Sequence, residues 1–399
     1  MKILWVNTNF MHPTTKGGQI RTLEMLRLLH RRHEIHYATL ENSTNPEGLR
    51  RSGEYSTKAY PVPHRIPDRG SPGFALQVAA SLFSPVPLAV SRFHPPGMEE
   101  RLEDLIRKER FDRAVVDHLA PTAYFPRMGE AVFFQHNVET VIWQRHVEQA
   151  TDPIRKWYFR VQAARMLEYE RRVSRAAGHI VAVSATDAQA MQRLFGVTKV
   201  SEIPTGVNIE YFTPPGAVPP AAELVFVGSM DWLPNVDGVL FFVREVLPLI
   251  LRRRPHTTMT VVGRTPPPEI RALARAQPTV TVTGTVADIR PYLWGAKISI
   301  VPLRIGGGTR LKIYESMAAR VPVVSTTTGA EGLTIHPPDD IRLADTPQAF
   351  ADHCLGLLDD ASERERIAAR AFQMVSSHFC WEKVARCFER ILEAAPALS

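Results

Sequence analysis

Cysteine is scarce in this chain, which has three such residues, Cys354, Cys380 and Cys387, among 399. Their odd number argues against a disulfide framework, and no pair has the spacing of metal ligands, so a reducing, cytoplasmic location is expected. No apolar run approaches the ~20 residues that a membrane-spanning helix needs. The N-terminal stretch MKILWVNTNF has one lysine and a short apolar segment, which predicts a first β-strand and not a signal peptide.

Signatures of several functional classes are also missing. The chain has no G-x-G-x-x-G fingerprint and no Walker A loop, so a generic dinucleotide or ATP site is not expected. It has no Ser-His-Asp series, and no basic stripe with interleaved aromatic residues, which makes nucleic acid the least favoured partner. The formal charge of +7 is compatible with nucleic acid, an anionic membrane surface or a phosphorylated ligand, and a genome that favours arginine explains it equally well.

Short apolar, β-branched segments alternate with longer helical patterns along the chain. This alternation predicts an α/β fold of βα units, in which helices cover both faces of parallel sheets. The strand candidates are Ile3–Val6, Glu34–Thr39, Ala114–Asp117, Ala131–Gln135, His179–Val183, Leu224–Val227, Thr258–Val262, Val280–Thr283, Ile298–Val301, Val321–Ser325 and Ile341–Leu343.

A proline-rich stretch divides these segments into two sets. YFTPPGAVPPAAE, residues 211–223, has four prolines, which fit neither a helix nor a central strand, so it is predicted to be a linker. The predicted domains are 1–210 and 224–375, followed by an amphipathic helix within 376–399. Because parallel sheets bind ligands outside the carboxyl ends of their strands, the cleft between two such domains is the expected site.

The segment RIGGGTRLKIYE, residues 304–315, has the pattern strand, glycine loop, helix. Glycines such as Gly307 and Gly308 let backbone amides approach a ligand, and Thr309 is a candidate N-cap for the helix. The partial positive charge of a helix N-terminus, together with Arg310 and Lys312, predicts an anion site. A pyrophosphate has enough charge and oxygen atoms to occupy all of these donors.

Glu315 lies one turn farther along this predicted helix. Its carboxylate does not suit a phosphate, but it can accept hydrogen bonds from two hydroxyls of a ribose, so donors and acceptor together indicate a nucleotide. The alternative is a surface ion pair between Lys312 and Glu315, which would contribute only about 0.2–0.5 kcal/mol and would leave the glycines unexplained.

The first domain has a similar but weaker signal. Amides after Gly17 and Gly18 would meet the same phosphate, although two glycines before a helix are often only a turn. His136 follows a strand end in VFFQHNVET, where an imidazole would hydrogen-bond a substrate hydroxyl or a reacting carbonyl. A loop histidine with structural partners is the alternative, and His118, in VVDHLAP, has the same placement with less support.

Two further strand ends in the second domain carry candidate residues. Gly228 and Ser229, in VFVGSMDWLPNVDG, are placed to approach a phosphate. Gly284, Thr285 and Val286, in VTGTVADIRPYLWGA, are placed so that backbone groups would receive the nucleobase. Both predictions rest on position at the carboxyl end of a strand.

The motifs PLRIGGGTRLKIYESMAARVPVVSTTTGAEGL and FVGSMDWLPNVDG, with the early glycine pair, resemble the group 1 retaining glycosyltransferases of GT-B fold, and among them the bacterial branch associated with exopolysaccharide assembly. The resemblance covers nearly the whole chain. It implies two facing Rossmann-like, doubly wound domains with an interdomain cleft, the first binding the acceptor and the second the nucleotide sugar. It also implies a C-terminal helix that packs back on the first domain, and neither an obligatory metal nor a resident cofactor.

Several residues match the family's motifs and two positions depart from them. Glu315 matches the glutamate that holds the ribose, and His136 matches the histidine after a first-domain strand. Gly307 stands where the family has another glutamate, which helps to grip the donor sugar, so the donor sugar is not inferred by analogy. GSMDWLPN lacks the arginine and lysine that many members place there, and Arg310 and Lys312 are expected to supply those charges.

The expected activity is a retaining, metal-independent, hexosyltransferase-like transfer. The donor would be a UDP-, GDP- or other nucleoside-diphosphate sugar, and the acceptor a sugar, lipid-linked or small-molecule hydroxyl. Arg310, Lys312 and the amides near Gly18 would stabilise the leaving diphosphate, and His136 would orient the transferred sugar or the acceptor. The alternative is a non-catalytic partner protein that binds a sugar nucleotide.

Contact with an anionic membrane is a separate expectation. IRKWYFRVQAARMLEYERRVSRAAG is a basic, partly aromatic helical stretch, and FALQVAASLFSPVPLAV is apolar. Such a face would bind anionic lipid peripherally and place the protein at the inner face of the cell membrane. An exposed arginine-rich helix that packs through its apolar side is the other interpretation.

Overall fold

The computed structural model describes residues 1–14, 17–41, 46–68, 70–305 and 311–398. The chain forms two compact units, one made of Met1–Pro204 with Val384–Ser399 and the other of Thr205–Lys383. Each unit is built on a parallel β-sheet flanked by helices. The predicted α/β class, with two Rossmann-like, doubly wound domains, is confirmed.

The sheet of the first unit has seven strands, all paired in parallel. They are β1 Lys2–Asn7, β2 Glu34–Glu41, β3 Lys58–Pro63, β4 Arg113–Asp117, β5 Ala131–Gln135, β6 His179–Ala182 and β7 Val200–Glu202. Their order is β3-β2-β1-β4-β5-β6-β7, so the chain builds outward from β1 to β3 and then continues on the other side of β1. This is the order of the doubly wound nucleotide-binding folds.

The sheet of the second unit repeats this plan with six parallel strands. They are β8 Leu224–Val227, β9 Met259–Val262, β10 Val280–Gly284, β11 Ile298–Val301, β12 Val323–Ser325 and β13 Arg342–Leu343. Their order, β10-β9-β8-β11-β12-β13, reverses between the first and fourth strands, as it does in the first unit.

The helices occupy the connections between strands. They are α1 Gly17–His30, α2 Pro46–Arg50, α3 Pro72–Ser81, α4 Leu88–Ser91, α5 Met98–Glu109, α6 Glu139–Gln149, α7 Pro153–Ala176, α8 Ala185–Phe195, α9 Ile209–Phe212, α10 Leu233–Phe241, α11 Leu247–Arg253, α12 Pro268–Ala276, α13 Arg290–Trp294, α14 Leu311–Ala318, α15 Pro347–Asp359, α16 Ala361–His378 and α17 Trp381–Ala394. Among the described residues, no helix combines the length and the apolar character that a bilayer crossing requires.

The central strands are buried on both faces. Residues 3–6 of β1 and 224–226 of β8 are completely inaccessible to solvent. Parallel strands covered by helices on both sides have such continuous apolar runs, and this is why their positions are readable from the sequence. Each buried side chain of this kind stabilises the fold by roughly 1.5–3 kcal/mol.

Two strands at the sheet edges, β3 and β7, were not among the predicted strands. β3 contains Pro61 and Pro63, which lack the N–H of a ladder hydrogen bond and are tolerated only at an edge. β7 has three residues and none is fully buried. Edge strands bury little apolar surface, so they lack the signal that identifies the central strands.

The boundary between the units differs from the predicted one. It lies after Pro204, and the predicted linker, residues 211–223, packs with the second unit. Phe212 is buried in the core of that unit, and its carbonyl oxygen accepts a hydrogen bond from Trp294 Nε1 at 2.6 Å. Prolines exclude regular elements here, but side-chain burial still fixes the segment in place.

The C-terminal helix predicted within 376–399 is α17, and its residues from Val384 onward belong to the first unit. Phe388 is fully buried, with its ring centre 5.6 Å from that of Trp5 in β1. Glu389 forms a bidentate ion pair with Arg32 at 2.8 and 2.9 Å. Residues 376–383 stay with the second unit, so the chain passes between the units within the first turn of α17.

Candidate active site

Each sheet reverses its strand order at one point, between β1 and β4 in the first unit and between β8 and β11 in the second. The loops that follow the two strands at a point of reversal run in opposite directions, so a crevice forms between them. Open α/β sheets bind ligands in this crevice, at the carboxyl ends of the strands. Gly17 and Gly18 follow β1, whereas Gly228 and Ser229 follow β8. Lys312 lies in α14, the helix after β11.

Part of the predicted anion site lies outside the described residues. This part consists of Gly307, Gly308, Thr309 and Arg310. The other predicted residues of this motif, Lys312 and Glu315, belong to α14.

The ammonium of Lys312 lies at the carboxyl end of β8. Its Nζ donates a hydrogen bond to Oδ1 of Asn235 at 2.7 Å and lies 4.4 Å from the centre of the Phe226 ring. A Cβ atom built on Gly228 would be 2.7 Å from the same Nζ. Any larger residue at 228 would displace the ammonium, so the structure brings together two residues that come from separate sequence motifs.

A second cation, Arg264, reaches this strand end from the end of β9. Its Nε donates to the hydroxyl of Ser229 at 2.6 Å, and its Nη2 lies 3.1 Å from a carboxylate oxygen of Asp231. The Ser229 hydroxyl donates in turn to Asp231 at 2.6 Å. Sequence reasoning missed Arg264, and the signal that identifies it is its position two residues after a strand, in VVGRTP.

Glu315 projects from α14 one turn beyond Lys312. The carboxylate is partly buried, and within the described residues it accepts no hydrogen bond. Burial raises the pKa of Glu315 to about 7, and the charge of Lys312 opposes this shift. A carboxyl group that accepts no hydrogen bond from the described part of the chain is suited to accept hydrogen bonds from hydroxyl groups of a ligand.

The residues predicted to receive the nucleobase border an open cavity. Gly284 and Thr285, with Thr265 and Arg271 among others, line a space of about 530 Å³, a volume typical of small-molecule pockets. Gly284 has a φ of +71°, which glycine adopts without strain. Val286 is different, because its side chain packs against the core of the unit and does not line the cavity.

In the first unit, a buried carboxylate organises the corresponding strand end. Asp117, the last residue of β4, is inaccessible to solvent. Its Oδ2 accepts hydrogen bonds from Trp5 Nε1 at 3.0 Å, Asn7 Nδ2 at 2.6 Å and Thr22 Oγ1 at 2.9 Å, and its Oδ1 accepts one from His136 Nε2 at 2.8 Å. Burial acts to raise the pKa of Asp117, but the neighbouring histidines and these donors hold it well below its usual range.

His136 lies beneath His118. The two rings stack with their centres 3.9 Å apart and 26° between their planes. His136 is 2% exposed, whereas 34% of the His118 side chain is exposed. Burial lowers the pKa of His136 to about 3, so this imidazole is neutral, and its Nε2 carries the proton that Asp117 accepts.

This arrangement bears on the predicted role of His136, which stays a prediction. The Nε2 of His136 is hydrogen-bonded to Asp117, and its Nδ1 is buried from solvent. A Cβ atom built on Gly18 would lie 3.6 Å from this Nδ1. The imidazole that reaches the surface is His118, which has a left-handed φ of +73°. In this structure both ring nitrogens of His136 face protein groups, and the ring packs beneath His118, the histidine with the weaker sequence signal.

Asp117, His118 and His136 are also close enough together to hold a metal ion, since one ligand atom from each lies within 4.8 Å of the others. However, Asp117 already accepts four hydrogen bonds, and the nitrogen of His136 nearest to it carries a proton. Hydrogen bonding thus accounts for the geometry of this cluster.

Two family models match the two halves of the chain. Residues 15–211 match the model described as Glycosyltransferase Family 4. Residues 221–360 match the model described as Glycosyl transferases group 1. Together the two matches span most of the chain.

A protein of Klebsiella pneumoniae, described as an uncharacterized 44.6 kDa protein in the cps region, is 23% identical over 169 residues, a match that spans 41% of this chain and 44% of that protein. Sucrose-phosphate synthase from Thermosynechococcus elongatus has a TM-score of 0.72 at 16% identity, covering 99% of this chain and 98% of its own. HepE from Anabaena, solved in complex with UDP-glucose, has a TM-score of 0.70 at 14% identity, and the match covers 99% of this chain and 100% of the HepE chain. At these identities the likeness to solved structures shows a shared fold.

Proposed function

Since the chain belongs to the glycosyltransferases of GT-B fold, we propose that it is a retaining enzyme that moves a sugar from a nucleoside-diphosphate sugar to a hydroxyl acceptor. The observation that carries this proposal is the position of Lys312 and Arg264 at neighbouring strand ends of the second sheet, with Glu315 one helical turn away. This position supports a diphosphate site beside a carboxylate that would accept hydrogen bonds from ribose hydroxyls. The motif resemblance and the relative from a cps region favour polysaccharide or glycoconjugate synthesis.

The donor would bind through three groups of residues in the second unit. Lys312, with Arg264 and the predicted Arg310, would hold the diphosphate, because charge-assisted hydrogen bonds to phosphate are the strong ones. Glu315 would accept hydrogen bonds from the ribose. The base would enter the cavity beside Gly284, and the UDP-glucose complex of the structural neighbour HepE makes a uridine donor the first to test.

Transfer would proceed on one face of the sugar. As the bond between the anomeric carbon and the diphosphate oxygen breaks, negative charge grows on the leaving group, where fixed cations stabilise it without reorganisation. The acceptor hydroxyl then bonds to the anomeric carbon from the same face, and its proton passes to the leaving phosphate oxygen. His118 would orient the transferred sugar or the acceptor, and the fixed cations would make a metal unnecessary.

The test is a transferase assay with UDP- and GDP-sugars and a panel of sugar and lipid-linked acceptors, before and after dialysis against a chelator. NMR of the product should show an anomeric proton of the same configuration as in the donor. An inverted anomer would contradict the retaining mechanism. Because Gly307 replaces a family glutamate, a non-catalytic sugar-nucleotide-binding partner is the second candidate, and tight donor binding without transfer or hydrolysis across the panel would favour it.

Donor binding is expected to weaken below neutral pH because of Glu315. Its pKa is about 7 in the free protein, and hydrogen bonds from ribose hydroxyls favour the ionised form, so Kd should rise as pH falls below 7, by up to tenfold per unit. Above pH 7 the Kd should not change with pH. Glu315→Gln should bind about 10- to 100-fold more weakly at pH 8, and it should lose the pH dependence. Calorimetric titration with UDP-glucose in the absence of acceptor, from about pH 5.5 to about pH 8.5, would measure this, because the diphosphate of a nucleotide sugar does not itself titrate in that range.

A further inference from the structure

One face of α3 is apolar and exposed to solvent. Ala75, Leu76, Ala79 and Ala80 are exposed, and Phe83 continues the same spacing just after the helix. Leu76 is 71% exposed and Phe83 is 91% exposed. Residues 72–83 include no charged side chain, so this face differs from the polar surface that a peripheral helix normally presents to water.

The first turns of α7 combine exposed apolar side chains with positive charge. Ile154 is 77% exposed and Trp157, one turn later, is 55% exposed. Arg155 and Arg160 are exposed beside them. Residues 153–167 include four cationic side chains and no acidic one.

Hydrogen bonds hold the end of α3 against α7. The hydroxyls of Ser81 and Tyr158 are 3.3 Å apart, and Gln162 Nε2 donates to the Ser81 hydroxyl at 3.3 Å. The guanidinium of Arg165 donates to the carbonyl oxygens of Ser81 and Leu82. The two exposed apolar segments therefore belong to one region of the first unit.

We define the apolar patch as Leu76, Phe83, Ile154 and Trp157. Phe83 lies two residues from Ser81, and Trp157 adjoins Tyr158, so the Ser81–Tyr158 contact places both pairs in the same region of the first unit. The patch contains the three most exposed of the large hydrophobic side chains in the described residues. Single exposed apolar residues are ordinary, but four large ones in one region of the surface point to an interaction surface.

We propose that the apolar patch docks the first unit on an anionic lipid bilayer. Phe83, Ile154 and Trp157 would enter the interface between headgroups and acyl chains, while Arg155 and the other cations of α7 would contact lipid phosphates. Charge complementarity selects this partner. In a symmetric dimer of this chain, the same cations would face one another, which disfavours a second copy.

Docking does not depend on the proposed transferase activity, because the residues of the patch are separate from those of the candidate site. If both proposals hold, docking would bring the enzyme to an acceptor that is carried on a lipid. A binding measurement tests the docking by itself, so its failure can be told apart from a failure of the proposed function.

The experiment is co-sedimentation of the full chain with vesicles of phosphatidylglycerol and phosphatidylcholine, and with vesicles of phosphatidylcholine alone. We expect binding to the anionic vesicles that weakens with salt. The double variant Phe83→Ser, Trp157→Ser should bind at least about tenfold more weakly, since it loses two aromatic anchors. Arg155→Gln with Lys156→Gln should lose about fivefold for each charge removed.

Leu49→Ser is the matched control, because Leu49 is an exposed side chain of the same unit, 42% accessible, and lies outside the patch. Leu49→Ser should bind the anionic vesicles as the unmodified protein does. All variants should keep the melting temperature of the unmodified protein. The proposal is overturned if the protein ignores anionic vesicles at low salt, or if the Phe83–Trp157 double variant binds unchanged. A dimer that depends on the patch, without vesicle binding, would assign the surface to a second copy instead.

Discussion

Replacing Lys312 with alanine is expected to lower the turnover number by about 10²–10³-fold, the effect of removing one preorganised donor that stabilises developing negative charge. The ammonium is held at the end of β8 by Asn235 and by the ring of Phe226, and Gly228 leaves room for it. Because this charge acts chiefly on the leaving diphosphate, kcat should fall more than the donor KM rises. Steady-state kinetics with a saturating acceptor would measure both.

Lys297→Ala is the matched control for this variant. Lys297 is a lysine of the same unit whose Nζ pairs with Glu223 at 2.9 Å, and 42% of its side chain is exposed. Its removal should leave kcat unchanged and cost at most about 1 kcal/mol of stability, as for other exposed pairs. Lys312→Ala with full activity would show that the diphosphate binds elsewhere, and the proposed role of this strand end would be wrong.

Asp117→Ala is expected to lower the stability of the first unit by about 3–5 kcal/mol, because it leaves several buried donors without their acceptor. Trp5, Asn7, Thr22 and His136 all donate to this carboxylate. For a unit of this size, the loss corresponds to a fall of roughly 6–20 °C in the melting temperature. Differential scanning calorimetry, with the transition of the first unit resolved, would measure it.

His118→Ala separates structural support from function at the same strand end. The His118 side chain is one-third exposed, so its removal should change the melting temperature little, yet it should lower turnover if this imidazole orients a ligand. Asp117→Asn keeps the shape of the side chain and should lose less stability than Asp117→Ala. If His118→Ala were as unstable as Asp117→Ala and fully active, the cluster would be a structural element alone.

The central strands were predictable because each carries its own signal. A strand buried on both faces is an apolar run in the sequence, whatever lies beside it, and β1, β8 and β11 were read in this way. The edge strands β3 and β7 carry no such run, because an edge bears proline or polar residues at little cost. The segment 211–223 was predicted as a linker because its prolines indicate which regular elements the backbone cannot form. The burial of Phe212 depends on a distant core, which the sequence does not display.

The residues of the candidate site also differ in whether a local stretch of sequence identifies them. Lys312 and Glu315 were identified because a glycine loop and the helix after it are contiguous in sequence. Arg264 was missed because its importance comes from Ser229, 35 residues away, with which it hydrogen-bonds. His136 and His118 both follow strands, and His136 was preferred because it matches the histidine of the family motif. The sequence does not tell which of the two stacked rings lies underneath.

The sequence by itself determined the class of fold, the positions of the central strands, and the segment of residues 304–315 where glycines and cations lie beside the start of a helix. These properties are local, since periodicity, backbone freedom and charge act over a few neighbouring residues. Only the tertiary structure decided that Lys312 lies against Gly228, that Arg264 joins Ser229, and that His118 covers His136. Such distances depend on which strands become neighbours, and that choice is made by the packing of the whole sheet.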